Sequence, residues 1–317
     1  MRNKTKIFIS ILFVFALVIP LGTSVMAQDE VSLCMVVHSD PAGSFWNVVD
    51  RGAKDAAAAL GVNLTAVGSP DPAEQAQLLE DCIAKNVDGV FVSLANPDAM
   101  RDSVTAAVNA GIPVITINSG AELYQELGAL THIGQTELVA GQGAGSRLND
   151  LGVSKVLCII HEEGNVGLEQ RCDGAAETFN GEVERFNVAS TGVLDLAGTS
   201  STIQDKLIAD SSFDAILTLN PDVAVAAADA RAAAGTEQLL ATFDLSPEVL
   251  QGLVDGEYSF AIDQQQYLQG YLPVVFLNLY SQNANVVGGG LPVMTGPGFV
   301  DSSNAAAVIE LSAAGTR

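Results

Sequence analysis

The sequence predicts an α/β fold built on parallel sheets with helices on both faces. Three observations carry that prediction. Apolar runs such as Val156 to Ile160 show no alternation, as expected of strands buried on both faces. Strand-like and helix-like segments alternate with short connections, which parallel pairing requires. The alternation pauses in a longer loop at Ala121 to Ala129 and then restarts, so the chain winds two successive halves.

The N-terminus is set aside first. Arg2, Lys4 and Lys6 precede an apolar run from Ile7 to Leu21, and Val25 and Ala27 put small residues at a signal-peptidase site. Residues 1–27 are therefore expected to be a signal peptide, cut before Gln28, and the protein to be periplasmic or extracellular. Leu33 directly before Cys34 is a poor context for lipid attachment. No later stretch is apolar and long enough to span a bilayer.

Val31 to Val37 opens the first half as a strand, and Asp40-Pro-Ala-Gly43 turns it into a helix from Ser44 to Leu60, stopped by Gly61. Strand Val62 to Val67 leads into a helix that Asp71-Pro72 opens and that runs through Lys85. Gly89 to Ser93 is the third strand, Asn96-Pro97 begins a helix to Asn109, and Gly111 to Ile117 is the fourth strand. Leu130 to Ile133 is where the chain first crosses over. The second half reads as helix Glu137 to Leu151, strand Val153 to Ile160, helix Val166 to Phe179 and strand Val183 to Val188. A small polar loop, Ala197 to Ser201, precedes helix Ile203 to Ala209 and strand Ala215 to Leu219. Helix Asp222 to Ala234, strand Leu239 to Phe243, helix Pro247 to Val254 and strand Tyr258 to Ile262 complete it. A helix from Gln266 to Tyr280 returns to the first half and the tail from Leu291 to the second. The expected division is 28–132 plus 265–290 against 133–264 plus 291–317.

Charge narrows the partners. The 14 basic residues less Arg2, Lys4 and Lys6 leave 11 against 37 acidic ones, a net charge of −26. Such a surface repels nucleic acid and anionic lipid. Four cysteines in an exported chain invite disulfides. Cys34 and Cys82 fall early and Cys158 and Cys172 later, so pairing within each half is the simplest arrangement; four buried thiols are the alternative.

Motifs for catalysis, metals and cofactors are missing. His161-Glu-Glu-Gly-Asn165 lacks the second histidine of a zinc-protease helix, and no CxxC or close histidine cluster offers a metal site. Gly141-Gln-Gly143-Ala-Gly145 lies inside a helix instead of directly after a strand, so it is not a dinucleotide loop. Neither GxSxG nor a phosphate-loop lysine occurs. No enzyme activity, metal or cofactor is expected.

Polar residues after apolar runs form the informative set. They include His38, Ser93 or Asn96, Asn118 with Ser119, His161 with Arg171, Asn220, Asp244 and Gln264. Each alone reads as a cap or turn residue. Together, at strand ends of two facing sheets, they would line a crevice, with Phe45-Trp46 adding an aromatic face. Amides, a carboxylate and a guanidinium around an aromatic platform suit a hydroxylated ligand. Arg171→Ala is therefore expected to abolish ligand-induced thermal stabilisation and to leave unliganded melting nearly unchanged; a large drop in unliganded stability would make Arg171 structural.

Several segments resemble the type I periplasmic sugar-binding proteins, the ribose- and galactose-binding group. They are Phe45-Trp46-Asn47 through Gly52-Ala53, Gly89 through Pro97, Ala110 through Asn118, Glu169 through Gly174, and Ile262 through Gly270. The resemblance covers nearly all of the chain after residue 27. It implies two Rossmann-like lobes joined by a three-crossing hinge, with sugar in the cleft and an ABC permease as membrane partner of a monomeric receptor. Carried over, it implies Phe45 and Trp46 as aromatic clamp and Asn118 and Ser119 as first-lobe contacts. Arg171, Asn220 and Asp244 match the second lobe and Gln264 the hinge, with His38 and Ser93 as further contacts. The ribose-type pattern has Asp-Arg where this chain has Asn118-Ser119, which points to a smaller or acyclic polyol. A receptor passing a sugar-like signal to a membrane sensor, or an exported enzyme on the same lobes, are the rival readings.

Overall fold

A computed structural model describes residues 30–39, 43–188 and 195–317. The signal peptide expected over residues 1–27 and most of the turn expected over residues 40–43 lie outside them. Among the described residues ten strands alternate with helices, except that the fourth and fifth follow one another with no helix between, and two short strands come after them. The first sheet takes β1 (Ser32–Val37), β2 (Asn63–Gly68), β3 (Gly89–Ser93), β4 (Val114–Asn118) and β5 (Thr131–Gly134). The second takes β6 (Lys155–Ile160), β7 (Glu182–Asn187), β8 (Ala215–Thr218), β9 (Leu239–Phe243) and β10 (Tyr258–Asp263). Two short strands then return, β11 (Val293–Met294) to the first sheet and β12 (Gly298–Val300) to the second.

The orders are β11-β5-β4-β3-β1-β2 and β12-β10-β9-β8-β6-β7, the same winding twice. All described pairs are parallel except β10 with β12. Val36, Val90, Ile159 and Ile216 are fully buried, because helices cover both faces of each sheet. The fold class is therefore α/β with two doubly wound lobes, as the unalternating runs imply.

Glycines set how close the covering helices come. In the first lobe, the helices Ser44–Leu60 and Gln266–Asn283 touch backbone to backbone: a Cβ on Gly52 would strike the Tyr267 carbonyl, and one on Gly270 the Val49 carbonyl. In the second lobe, the helices Glu137–Asp150 and Val166–Thr178 do the same through Gly141 and Gly174. The Gly141–Gly145 run thus serves helix packing. Disulfides join Cys34 to Cys82 and Cys158 to Cys172, one within each lobe.

Two expectations need correction. Ala197 to Ser201 is not a loop but the start of the helix Leu196–Ala209, capped by Asp195, whose Oδ1 accepts from the Gly198 N–H at 3.1 Å. Thr199, Ile203 and Leu207 recur at helical spacing on its buried face, which outweighs the small polar composition. The lobe boundaries also shift. Ile133 and Gly134 stay in the first sheet, and Val293 and Met294 pair with them there instead of entering the second lobe. The Thr295 N–H continues that register by donating to the Gly134 carbonyl at 2.7 Å. The crossings accordingly fall after Gly134, after Asp263 and after Met294.

Candidate functional site

Strand order decides where a cleft can form. In each sheet the strands wind outward in opposite directions from one gap, between β1 and β3 in the first and between β6 and β8 in the second. The carboxyl ends of strands at such a gap leave a crevice. His38 follows β1 and His161 follows β6, so each lobe carries a buried histidine to its own crevice. The two crevices face one another around a cavity of about 450 Å³. The lobes meet at its rim, where the Val166 N–H donates to the Ala95 carbonyl at 3.0 Å and Ser44 Oγ to Asp222 at 2.5 Å. This is a closed arrangement.

The first-lobe wall is aromatic and neutral. Phe45 and Trp46 stack edge to face at 5.1 Å, and Trp46 meets the His38 ring edge-on at 5.0 Å. Both rings also belong to the first lobe's core, so packing and cleft lining are met by the same side chains. Burial lowers the His38 pKa, which favours the neutral ring. Its Nδ1 lies 2.7 Å from Ser93 Oγ, and its Nε2 lies 3.4 Å from Asn165 Nδ2 across the cleft. Asn118 ends β4 with φ of 60°, a left-handed conformation that asparagine tolerates better than most. That backbone aims its amide at the hinge, where Nδ2 donates to Gln264 Oε1 at 3.2 Å. Ser119 Oγ donates to Asn118 Oδ1 at 3.1 Å.

Charge dominates the second-lobe wall. Arg171 rises from the helix Val166–Thr178 and is 4% exposed. Its Nε and Nη2 donate to the two oxygens of Glu137, at 2.6 and 3.1 Å, and its Nη1 donates to the Leu219 carbonyl at 3.1 Å. The guanidinium lies 4.7 Å above the Phe243 ring. Burial works against its charge, but Glu137 and then Asp244 outweigh that and hold its pKa above the usual value. Asp244 Oδ2 stands 3.8 Å from Arg171 Nη1, and its Oδ1 accepts from Gln264 Nε2 at 2.6 Å. Burial pushes the Asp244 carboxyl up to about 7, despite Arg171 and the Gln264 bond.

Asn118, Gln264 and Asp244 thus form one hydrogen-bonded relay from first lobe through hinge to second lobe. Of the residues expected from sequence, Phe45, Trp46, His38, Asn118, Ser119, Arg171, Asn220, Asp244 and Gln264 all border the cavity. Ser93 does not. It is fully buried beneath His38, with its Oγ accepting from the His38 N–H at 3.0 Å, so it supports a wall residue and leaves the cavity position to Asn96. Asn220 lines the cavity while capping the helix Pro221–Ala234 through its Oδ1. Sequence reasoning missed Glu137, Glu162 and Asn165. A buried arginine demands a counter-ion, and that demand was the one available signal for Glu137.

A cavity enclosed between two wound lobes, lined by both and by the segments that join them, is the site of a small-molecule receptor. The chain belongs to the periplasmic binding protein domain family, which it matches over residues 33–284. The family is one of substrate-binding proteins. A solved carbohydrate transporter protein from Acidothermus cellulolyticus, in complex with myo-inositol, is 39% identical; it aligns over 91% of this chain and 100% of its own, with a TM-score of 0.88. A solute-binding protein from Burkholderia graminis in complex with D-arabinose is 25% identical, covering 88% of this chain and 98% of its own at a TM-score of 0.77. The xylose/arabinose-binding protein of Sulfolobus acidocaldarius is 28% identical over 288 residues, 82% of this chain and 68% of that protein. The ribose import binding protein of Haemophilus influenzae is 26% identical over 261 residues, covering 80% and 86%.

Proposed function

We propose that the chain is an exported, monomeric receptor that captures a neutral sugar or polyol in the cleft and delivers it to an ABC permease without transforming it. A ring polyol of the inositol type is the favoured ligand. It replaces the smaller or acyclic polyol suggested by Asn118-Ser119, because the 39% identical relative holds myo-inositol. The relay Asn118–Gln264–Asp244 is the observation that carries the reading. It presents amide and carboxyl groups from both lobes and the hinge to one cavity, so one hydroxylated guest can bridge them and hold the closed state. Phe45 and Trp46 offer the apolar face that ring C–H groups need.

The test is a thermal-shift screen against pentoses, hexoses, inositols and short polyols, followed by calorimetry and by Trp46 fluorescence. One member should stabilise the protein, change the emission and be recovered unchanged by NMR. Absence of any stabilising member would refute the reading, and a converted ligand would replace it with an enzyme.

A further inference from the structure

Among the described residues Arg171 is the only arginine or lysine bordering the cavity, and three of its five N–H donors are already taken. A guanidinium carries five N–H donors in a planar fork that matches a carboxylate or phosphate two at a time. Here one bidentate edge, Nε–Nη2, is filled by Glu137 at 2.6 and 3.1 Å. Leu219 takes one N–H of Nη1. What remains is one N–H on each of Nη1 and Nη2. Asp244 Oδ2 stands 3.8 Å from Nη1, beyond hydrogen-bond length, leaving room for a hydroxyl that accepts from one and donates to the other.

We infer that Glu137 sets the chemical class of ligand, by turning Arg171 from an anion-binding fork into a hydroxyl donor, so that the cleft takes neutral polyols and rejects their carboxylate and phosphate analogues. This rests on the polyol reading above. Glu137 is a positioning residue, because it acts on the ligand through Arg171. The pair is held as a unit: Glu137 is 2% exposed, Gln135 Nε2 donates to its Oε2 at 2.9 Å, and the Phe243 ring backs the guanidinium. Gly141, one turn along from Glu137, lets the helix bearing it lie directly on the Arg171 backbone, which fixes where the two side chains meet. Paired in this way, the two charges cancel at short range. An anionic guest would then lose its hydration on entering the cleft with no net positive charge to offset the cost.

Calorimetry with matched probes tests the inference: D-glucose against D-glucuronate, D-galactose against D-galacturonate, and myo-inositol against myo-inositol 1-phosphate. For whichever neutral member binds the wild type, its acid should bind at least about 100-fold more weakly. Comparable binding of the acid overturns the inference while leaving the polyol reading intact; failure of every neutral member overturns both. Glu137→Gln, checked for folding by circular dichroism, frees the arginine charge and should narrow the acid-to-neutral ratio by about tenfold. A merely structural Glu137 would weaken both probes alike and leave the ratio unmoved, which overturns the inference. Should that variant not fold, the double substitution Glu137→Gln with Arg171→Met removes both charges together. The ratio should then stay within about threefold of wild type, because the intact pair already contributes little net charge. Acid binding that falls a further tenfold relative to neutral would show that Arg171's charge had reached the ligand, and would overturn it.

Discussion

The two walls of the cleft are built on opposite principles. On the first lobe, Phe45, Trp46, His38 and Asn118 are neutral, and packing and backbone geometry at strand ends hold them in place. On the second, Arg171, Glu137 and Asp244 are ionisable and nine-tenths or more buried; Arg171 and Glu137 hold each other, and Gln264 holds Asp244. The first wall can lose a polar contact and stay folded. The second cannot lose one charge without stranding its partner. Ligand recognition and fold stability are therefore separable on one side of the cleft and joined on the other.

The largest expected effect breaks that comparison if it fails. Arg171→Ala leaves Glu137 buried and unpaired, so unliganded stability should fall by about 3–5 kcal/mol in urea unfolding. That outcome would overturn the expectation of nearly unchanged unliganded melting, which took no account of the Glu137 pair. Unchanged unfolding would make the two walls alike.

Asn118→Ala supplies the contrast. Gln264 Oε1 keeps its bond from Gln269 Nε2 at 2.8 Å, so the folded state loses only about 1–2 kcal/mol, largely from placing alanine in left-handed backbone. Ligand affinity, read by calorimetry, should fall by about 1–3 kcal/mol as the ligand hydroxyl loses its partner. A loss of stability as large as that of Arg171→Ala would erase the difference between the walls.

The pH dependence sharpens it further. Burial raises Asp244 from 3.8 to about 7, so the folded state holds that proton more tightly than the unfolded chain does. Its contribution to unliganded stability is full below about pH 4 and is lost as pH rises through about 7. Asp244→Asn should flatten the decline in Tm between those values. Part of the slope persists, because burial also raises Asp263. A profile parallel to wild type would show that Asp244 does not titrate there.

The smallest effect separates lining from support. Ser93→Ala strips the His38 N–H and ring of a common partner, and affinity should change by no more than about threefold, or roughly 0.6 kcal/mol. A loss as large as that from Asn118→Ala would return Ser93 to the cavity wall.

Reading the chain residue by residue reached unevenly across the site. Arg171 was legible because few cations exist in so acidic a chain and this one follows a strand end. Glu137 was not, because an acid opening a helix is commonplace and satisfies the helix dipole by itself. Ser93 and Asn96 could not be told apart, since both follow the same apolar run and only the path of the chain past His38 separates them. The two-residue strand β11 left no periodicity to read, so the third crossing was placed too early.

What the sequence determined by itself was the order and type of nearly every long element, the doubling of the winding, and therefore which strand ends face a crevice. Those follow from local hydrophobic period and from turn chemistry, which neighbouring residues specify. Which side chains satisfy one another inside the cleft was decided only by tertiary structure. Glu137 and Arg171, or Asn118 and Gln264, lie far apart along the chain, and nothing local records that burial has left each needing the other.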